Sequence, residues 1–418
     1  MFNTTTTATI IKSLIAHKKA ILQTLLLLVI TNSNVYTDSF TVRSMYDAML
    51  EDTNIIFHKC HDPIPFLYPN FPIKELSYWH THKGCFDQSG VFVIPNGKAY
   101  TDFCLSESGH IISFHGSSIF NKDNELLHEL LGTHHSLYMQ IERIHRKNIC
   151  NDLVKKIPGT VALITDIGNE MYAHWMMKTL AKIALLEQAN ITYDLLYILH
   201  NKPYMKETLQ ILGIDASKII EPYNGYECIQ AETLIVPSIP AKVIPMQNEH
   251  HYANAHIMTL YAPPWHLTWL RNKILPLIDR LHNNSKFYPK VFLSRKDAVR
   301  KIINEDEVFA YFEQKGFKKY TLTDLSFLEQ IQLFHQATHI VGTHGSNMTN
   351  IIFCKPETCV VELFQNQFDC TFWYLSQQLQ LQHHCIKTTH PIPGDRYIST
   401  TACLQMIEEY VQKELPNL

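Results

Sequence analysis

Residues Gly342–Ser346 read Gly-Thr-His-Gly-Ser and separate one short apolar run from a second that resumes by Ile351. A buried strand that breaks there and restarts as a helix presents free backbone N–H groups at the helix N-terminus, where the dipole favours an anion by roughly 0.3–2 kcal/mol. Gly342 and Gly345 allow a phosphate close to the main chain, and His344 adds a donor that titrates near neutral pH. A tight βα turn that needs glycine only for its own backbone would read the same way. The segment SRKDAVRK places Arg295, Lys296, Arg300 and Lys301 after a strand end. Guanidinium forks suit paired phosphate oxygens, although a solvated surface loop has the same composition. Glu362, in VVELF, sits late in another strand, where dinucleotide-binding folds hold ribose hydroxyls or where a carboxylate simply ends a strand.

Regular elements must hold these residues. Gly159–Thr165 (GTVALIT) reads as a buried strand, Glu170–Ala189 as a long helix, Tyr193–Leu199 as a strand, Lys206–Leu212 as a helix stopped by Gly213, and Thr233–Ser238 as a strand. A second unit follows. Lys290–Ser294 is a strand, and a helix N-capped by Asn304, with Glu305–Glu307 in its first turn, runs to Lys315. KKYTL is the next strand, and Ser326 and Glu329 form a capping box that opens another helix. The apolar run and turn follow, then a short helix and the strand Cys359–Phe364. A linker is expected over Arg271–Pro289. The alternation predicts an α/β fold of two Rossmann-like parallel-sheet domains facing a cleft, with ligands outside the carboxyl ends of the strands. Residues 35 to about 150 are irregular, with Gly90–Pro95 (GVFVIP) the one clear strand.

The 418 residues suit two or three domains of about 100–200 residues each. With 46% hydrophobic and 18% charged residues the chain can bury a large core. A net charge of -3 and a pI of about 6.8 give no electrostatic reason to expect nucleic acid. The ten cysteines contain no C-x-x-C and read as free thiols. Among the 24 histidines no H-E-x-x-H occurs. His250 and His251, like His383 and His384, are adjacent and cannot share a helix face, which disfavours a metal-dependent hydrolase. Lys12, Lys18 and Lys19 precede AILQTLLLLVI, a run shorter than the ~20 residues a spanning helix needs. Residues 1–34 are therefore expected to form a leader or a short anchor making peripheral membrane contact.

Taken in order, RKIINEDEVFAYFEQKGF, SFLEQIQLFHQATHIVGTHGSNMTNIIF and VVEL resemble the C-terminal domain of family 61 glycosyltransferases, and DIGNEMYAHWMMKTLAKIALL is similar to that family's Tyr-His-Trp helix. The resemblance covers about Asp166 to Phe364. It implies an inverting, nucleotide-sugar-dependent transferase of the GT-B-like type, with an N-terminal extension, an acceptor-side domain over 35–280 and a nucleotide-sugar-binding domain over 281–418. By that analogy Arg295, Arg300 and Asn304 line the base and phosphate side, His344, Gly345 and Asn350 belong to the diphosphate turn, and Glu362 to the ribose. UDP is the expected nucleotide. The acceptor would be a glycan or protein hydroxyl, in surface polysaccharide or glycoconjugate synthesis. A non-catalytic nucleotide-sugar or glycan-binding protein on the same fold is the alternative.

Glycosyl transfer needs a stabilised leaving diphosphate and a base for the acceptor hydroxyl. His174, one turn into the helix after the first strand, is the expected base, with Asp166 second; His174 and Trp175 could equally pack the helix start or contact the donor. Glu305 and Glu313 stand at E-x7-E, a spacing found in retaining transferases, but on one helix face they read as a solvated pair. Asn347-Met348-Thr349 is a sequon inside the expected phosphate turn, and Asn190-Ile191-Thr192 and Asn283-Asn284-Ser285 are two others. The first favours a membrane-associated enzyme on a bacterial cytoplasmic face; in a eukaryotic host the leader would direct the chain to the secretory pathway. No D-x-D occurs anywhere in the chain. Arginines and a helix N-terminus can stabilise the leaving group instead, so no metal or other cofactor is expected. Turnover undiminished in EDTA is the expected outcome, and a strict requirement for Mn²⁺ would defeat it.

Overall fold

The computed structural model describes residues 41–43, 45–69, 71–73, 83–105, 111–127, 154–223, 225–240, 243–245, 261–278, 287–298, 301–365, 369–388 and 400–418. The expected leader, Arg300, His250, His251 and the Asn283-Asn284-Ser285 sequon lie outside them. No helix among the described residues is long and apolar enough to cross a membrane.

Two sheets organise the chain. The first has ten strands. Four are mutually parallel: β1 (Lys155–Leu163), β2 (Leu195–Tyr197), β3 (Ile219–Ile220) and β4 (Cys228–Pro237), in spatial order β4-β1-β2-β3. The second sheet has five strands, all parallel: β5 (Lys290–Ser294), β6 (Lys318–Thr321), β7 (His339–Thr343), β8 (Cys359–Phe364) and β9 (Gln382–Lys387), in spatial order β6-β5-β7-β8-β9. In each sheet the winding reverses beside the first parallel strand, between β1 and β4 and between β5 and β7. A reversal splays the connecting loops apart and opens a crevice at the carboxyl ends of those strands. Thr165 and Asp166 stand at the first such crevice. Arg295 and Thr343–Gly345 flank the second.

The expectation of two parallel sheets holds for the second and needs correction for the first. Beyond β4 that sheet turns antiparallel through Ser89–Pro95 and Lys98–Leu105, then on to Ile111–Phe120. The segment 35–150 is thus partly sheet, although KAYTDFCL and IISFHGSSIF lack clean apolar alternation.

A short helix, Met45–Glu51, precedes β1; the helices after β1 are α1 over 172–188, α2 (Pro203–Ile211), α3 (Pro264–Ile278), α4 (Glu305–Glu313), α5 (Phe327–Gln336), α6 (Thr371–Leu379) and α7 (Leu404–Glu414). Helix α1 is not continuous. Tyr172–His174 is α-helical, Trp175–Thr179 is a π-helical turn, and Leu180–Gln188 resumes the α-helix. The capping box of Ser326 and Glu329 is present. Three other expectations change. Arg271–Ile278 belongs to α3 rather than a linker, because Leu267, Leu270, Ile274 and Ile278 form a buried stripe. Asn304 precedes α4 without capping it; its amide ties Glu307 and the backbone of Ala402 instead. Glu305 is buried, not solvated, and accepts from Ser294 Oγ at 2.6 Å and Arg295 N–H at 2.8 Å, fixing the end of β5.

One apolar cluster joins the sheets, running from Ala162 through Trp175, Met176 and Leu270 to Ile340 and Met348. Polar bonds stitch the same layer. Glu207 on α2 accepts from the N–H of Phe327 at 3.0 Å, and Arg271 on α3 donates to the carbonyls of Ile352 and Cys354. Tyr172 donates its hydroxyl to Asn350 Oδ1 at 2.5 Å. Among the described residues Cys60, Cys85, Cys228, Cys354, Cys359, Cys370, Cys385 and Cys403 are free thiols.

His266, fully buried on α3, meets the carbonyl of Met176 at 2.7 Å through Nε2, so that nitrogen carries the hydrogen. Its Nδ1 has no partner, and burial pushes its pKa down to about 4 from an ordinary 6.5. The unfolded chain therefore binds a proton at this site between pH 6.5 and 4 that the folded chain refuses, costing about 1.4 kcal/mol per pH unit across that window. Thermal denaturation should show stability falling as pH drops from 6.5 towards 4, with a shallower slope in His266→Gln.

Candidate functional site

The turn after β7 forms at Gly345, whose φ of 152° lies where only glycine sits without strain. A Cβ there would also overlap the guanidinium of Arg295. Arg295 leaves the end of β5, crosses the second crevice and donates through Nη1 to the carbonyl of His344. Gly342 is needed for packing: a Cβ would come 2.8 Å from Met348 Sδ. The chain then winds into a 3₁₀ helix, Ser346–Phe353, long for its type. Its first hydrogen bond runs from the N–H of Met348 to the carbonyl of Gly345 at 2.8 Å. The N–H groups of Ser346 and Asn347 precede that bond and have no acceptor within the helix. Both amide atoms of Asn347 are buried without a partner among the described residues. The crevice therefore offers a guanidinium, a helix N-terminus and an unspent amide, a set suited to an oxygen-rich anion.

His344 lies flat on Phe364, with ring centroids 5.2 Å apart, and tilts against Phe372. Its Nδ1 stands 2.5 Å from Glu362 Oε1, and His383 Nε2 stands 3.0 Å from Glu362 Oε2. Glu362 is completely buried in β8. Burial raises its carboxyl, but His344 and then His383 outweigh that and hold it below the ordinary carboxylate range. An ionised carboxylate only accepts, so both imidazoles donate to it. His383 and His384 lie on strand β9, not on a helix, and alternate sides: His383 meets Glu362, while His384 meets Tyr410. Glu362, His383 and Cys385 bring ligand-capable atoms within 4.8 Å of one another. A metal there would have to break the His383–Glu362 bond and deprotonate a thiol that burial pushes well above its ordinary range.

Across the apolar layer, the end of β1 carries Asp166. One oxygen accepts from the N–H of Ile167 at 2.7 Å and the other faces Lys182 Nζ at 3.1 Å. Burial raises this carboxyl, but Lys182 and Lys178 outweigh it and hold it low. His174 turns Nδ1 to the carbonyl of Ile167 at 3.1 Å, an approach that Gly168 permits because a Cβ there would crowd the ring at 2.7 Å. The carbonyl fixes the hydrogen on Nδ1 and leaves Nε2 as an acceptor. Burial, then Lys178, push the pKa of His174 down to about 3, so the ring is neutral at pH 7. The π-helical turn directly follows His174 and carries Lys178.

The fold thus brings Arg295, His344, Gly345 and Glu362 to one crevice and His174 and Asp166 to the other. The start of α1 packs on the 3₁₀ helix through the Tyr172–Asn350 bond. Asn350 is buried, with Oδ1 on Tyr172 and Nδ2 on Gln330, so it ties elements together rather than facing a ligand. Asn304 is not brought to the turn; it holds the segment before α7. Of the basic stretch, Lys296 pairs with Asp306 at the surface. Lys178, Lys182, Asn347, His383 and Ser376 join the neighbourhood without having been singled out as site residues. Period-two alternation in QHHCIK, beside VVEL, was the signal for His383.

Comparison with known proteins bears on the same elements. Residues 172–361 match the family model Glycosyltransferase 61. A stretch of 76 residues, 18% of this chain and 15% of the relative, is 28% identical to the EGF domain-specific O-linked N-acetylglucosamine transferase of Drosophila melanogaster. A stretch of 78 residues, 17% of this chain and 15% of the relative, is 31% identical to the Mus musculus protein of the same name. The matched stretches thus span about one seventh of those relatives' own length. The family match begins at the helix carrying His174 and ends in the strand carrying Glu362, one residue before that carboxylate.

Proposed function

We propose that the protein is an inverting glycosyltransferase that moves a sugar from a nucleotide donor, UDP being the favoured carrier, to a hydroxyl of a glycan or protein. The observation that carries this reading is the meeting of Arg295, the N-terminus of the 3₁₀ helix and His344 at the crevice between β5 and β7. The donor diphosphate lies against that helix N-terminus, with Arg295 as its partner, and the leaving charge is stabilised without a metal. The two sheets act as the donor and acceptor halves of a GT-B-like enzyme. His174 takes the acceptor proton on Nε2. It is preferred to Asp166 because Nε2 is left as an acceptor, whereas both Asp166 oxygens are already engaged. The EGF-domain specificity in the relatives' names makes a folded protein domain one acceptor class to try, beside glycans. Residues 1–34 supply a membrane leader or anchor in this reading.

Thermal shift across a panel of nucleotides and nucleotide sugars should show stabilisation by UDP or a UDP-sugar, lost in Arg295→Ala and in Gly345→Ala, where the new Cβ displaces the guanidinium. With an acceptor found, His174→Ala should lower kcat by about 10²–10⁴-fold. Near-normal turnover in that variant would remove His174 from the mechanism. Binding of UDP with neither hydrolysis nor transfer would favour a non-catalytic nucleotide-sugar-binding protein.

A further inference from the structure

The Glu362 network extends one residue beyond the two histidines. Ser376, completely buried on α6, lies 2.7 Å from His383 Nδ1. With its Nε2 hydrogen spent on Glu362, His383 in the Nε2–H tautomer can only accept at Nδ1, so the Ser376 hydroxyl donates. Every hydrogen in the chain then has one direction: Ser376 to His383, His383 to Glu362, and His344 to Glu362 from the other side. Four residues, one from the turn after β7 and the others from β8, β9 and α6, form a buried line that ends at the turn. Only the His344 end reaches the surface, where the residue keeps 8% of its exposure. Its Nδ1 is committed to Glu362 and its ring is held between Phe364 and Phe372. Nε2, on the opposite edge of the ring, has no protein partner among the described residues.

We propose that Ser376 and His383 are positioning residues for His344: through Glu362 they hold its hydrogen on Nδ1, so that Nε2, on taking up a proton, is the nitrogen that donates to the diphosphate of a bound nucleotide. This rests on the reading of the turn as a donor site. A carboxylate behind an imidazole fixes the tautomer and stabilises the ring when it becomes charged against an anion in front. Glu362 accordingly serves the nucleotide through His344 and presents neither oxygen to a ribose. His383 completes the carboxylate's shell. Without it, one oxygen in the middle of a sheet would lose its donor, and the carboxylate could turn away from His344.

Three variants test this. His383→Leu removes the donor to Glu362, Ser376→Ala removes the terminal hydroxyl, and His383→Gln keeps an N–H aimed at Glu362. Imidazole ¹⁵N spectra report which ring nitrogen of His344 bears the hydrogen, and calorimetry with UDP reports affinity. The expected result is a His344 hydrogen on Nδ1 in the parent protein. In His383→Leu it becomes a mixture of tautomers with UDP binding about tenfold weaker, and His383→Gln restores both. Ser376→Ala should give a smaller shift of the same sign, and it decides the matter if His383→Leu does not fold. An unchanged His344 spectrum in the folded variants would overturn the proposal. Failure of the parent protein to bind UDP would instead sink the nucleotide reading, and the spectra alone would then decide the positioning role.

Discussion

A carboxylate sealed inside a parallel sheet can stay ionised only if donors meet both of its oxygens. Glu362 lies in a strand whose every residue is buried. Leaving such a charge without one of its partners costs about 3–5 kcal/mol. His344, just past the end of β7, and His383, on β9, meet that demand from the two sides. The register of β7, β8 and β9 and the placing of the turn therefore follow from one electrostatic requirement. The aromatic rings around His344 exclude water from the pair and strengthen it further.

The second constraint is the apolar layer that both sheets share. Helices α1, α3 and α5 and the 3₁₀ helix fill it, so the crevice at the end of β1 and the crevice between β5 and β7 belong to one packed body. The Tyr172–Asn350 bond sits where the layer meets the turn. The π-helical turn in α1 falls at the same place, and such turns recur where a helix is adapted to a function. The layer leaves little room for the two sheets to swing apart without exposing Met176, Leu270 or Met348, all buried.

Much of this was legible in the residue order. Strands β5 and β8 are legible to the residue because a doubly covered parallel strand is a near-continuous apolar run, interrupted in β8 only by Glu362. The capping box and the glycine turn carry local chemistry that does not depend on distant partners. What stayed hidden depends on such partners. Lys178 and Lys182 look like the polar face of a helix, yet Lys182 is 4% exposed because Asp166 waits across from it. Glu305 looks like a dipole-complementing surface acid, yet it anchors the end of β5. His383 was weighed on a helix, where adjacency excludes it, whereas a strand sends it and His384 to opposite sides. Asn304 had the composition of a cap, but a backbone 98 residues away competes for its amide.

The sequon at Asn347 acquires a different meaning from this geometry. Its amide is enclosed once the turn has closed, so an oligosaccharide could be attached only to a chain that had not yet folded there. A sugar on Asn347 would prop the turn open and mark a molecule arrested before completion, while the exposed Asn190, at the end of α1, could carry one without disturbing the fold.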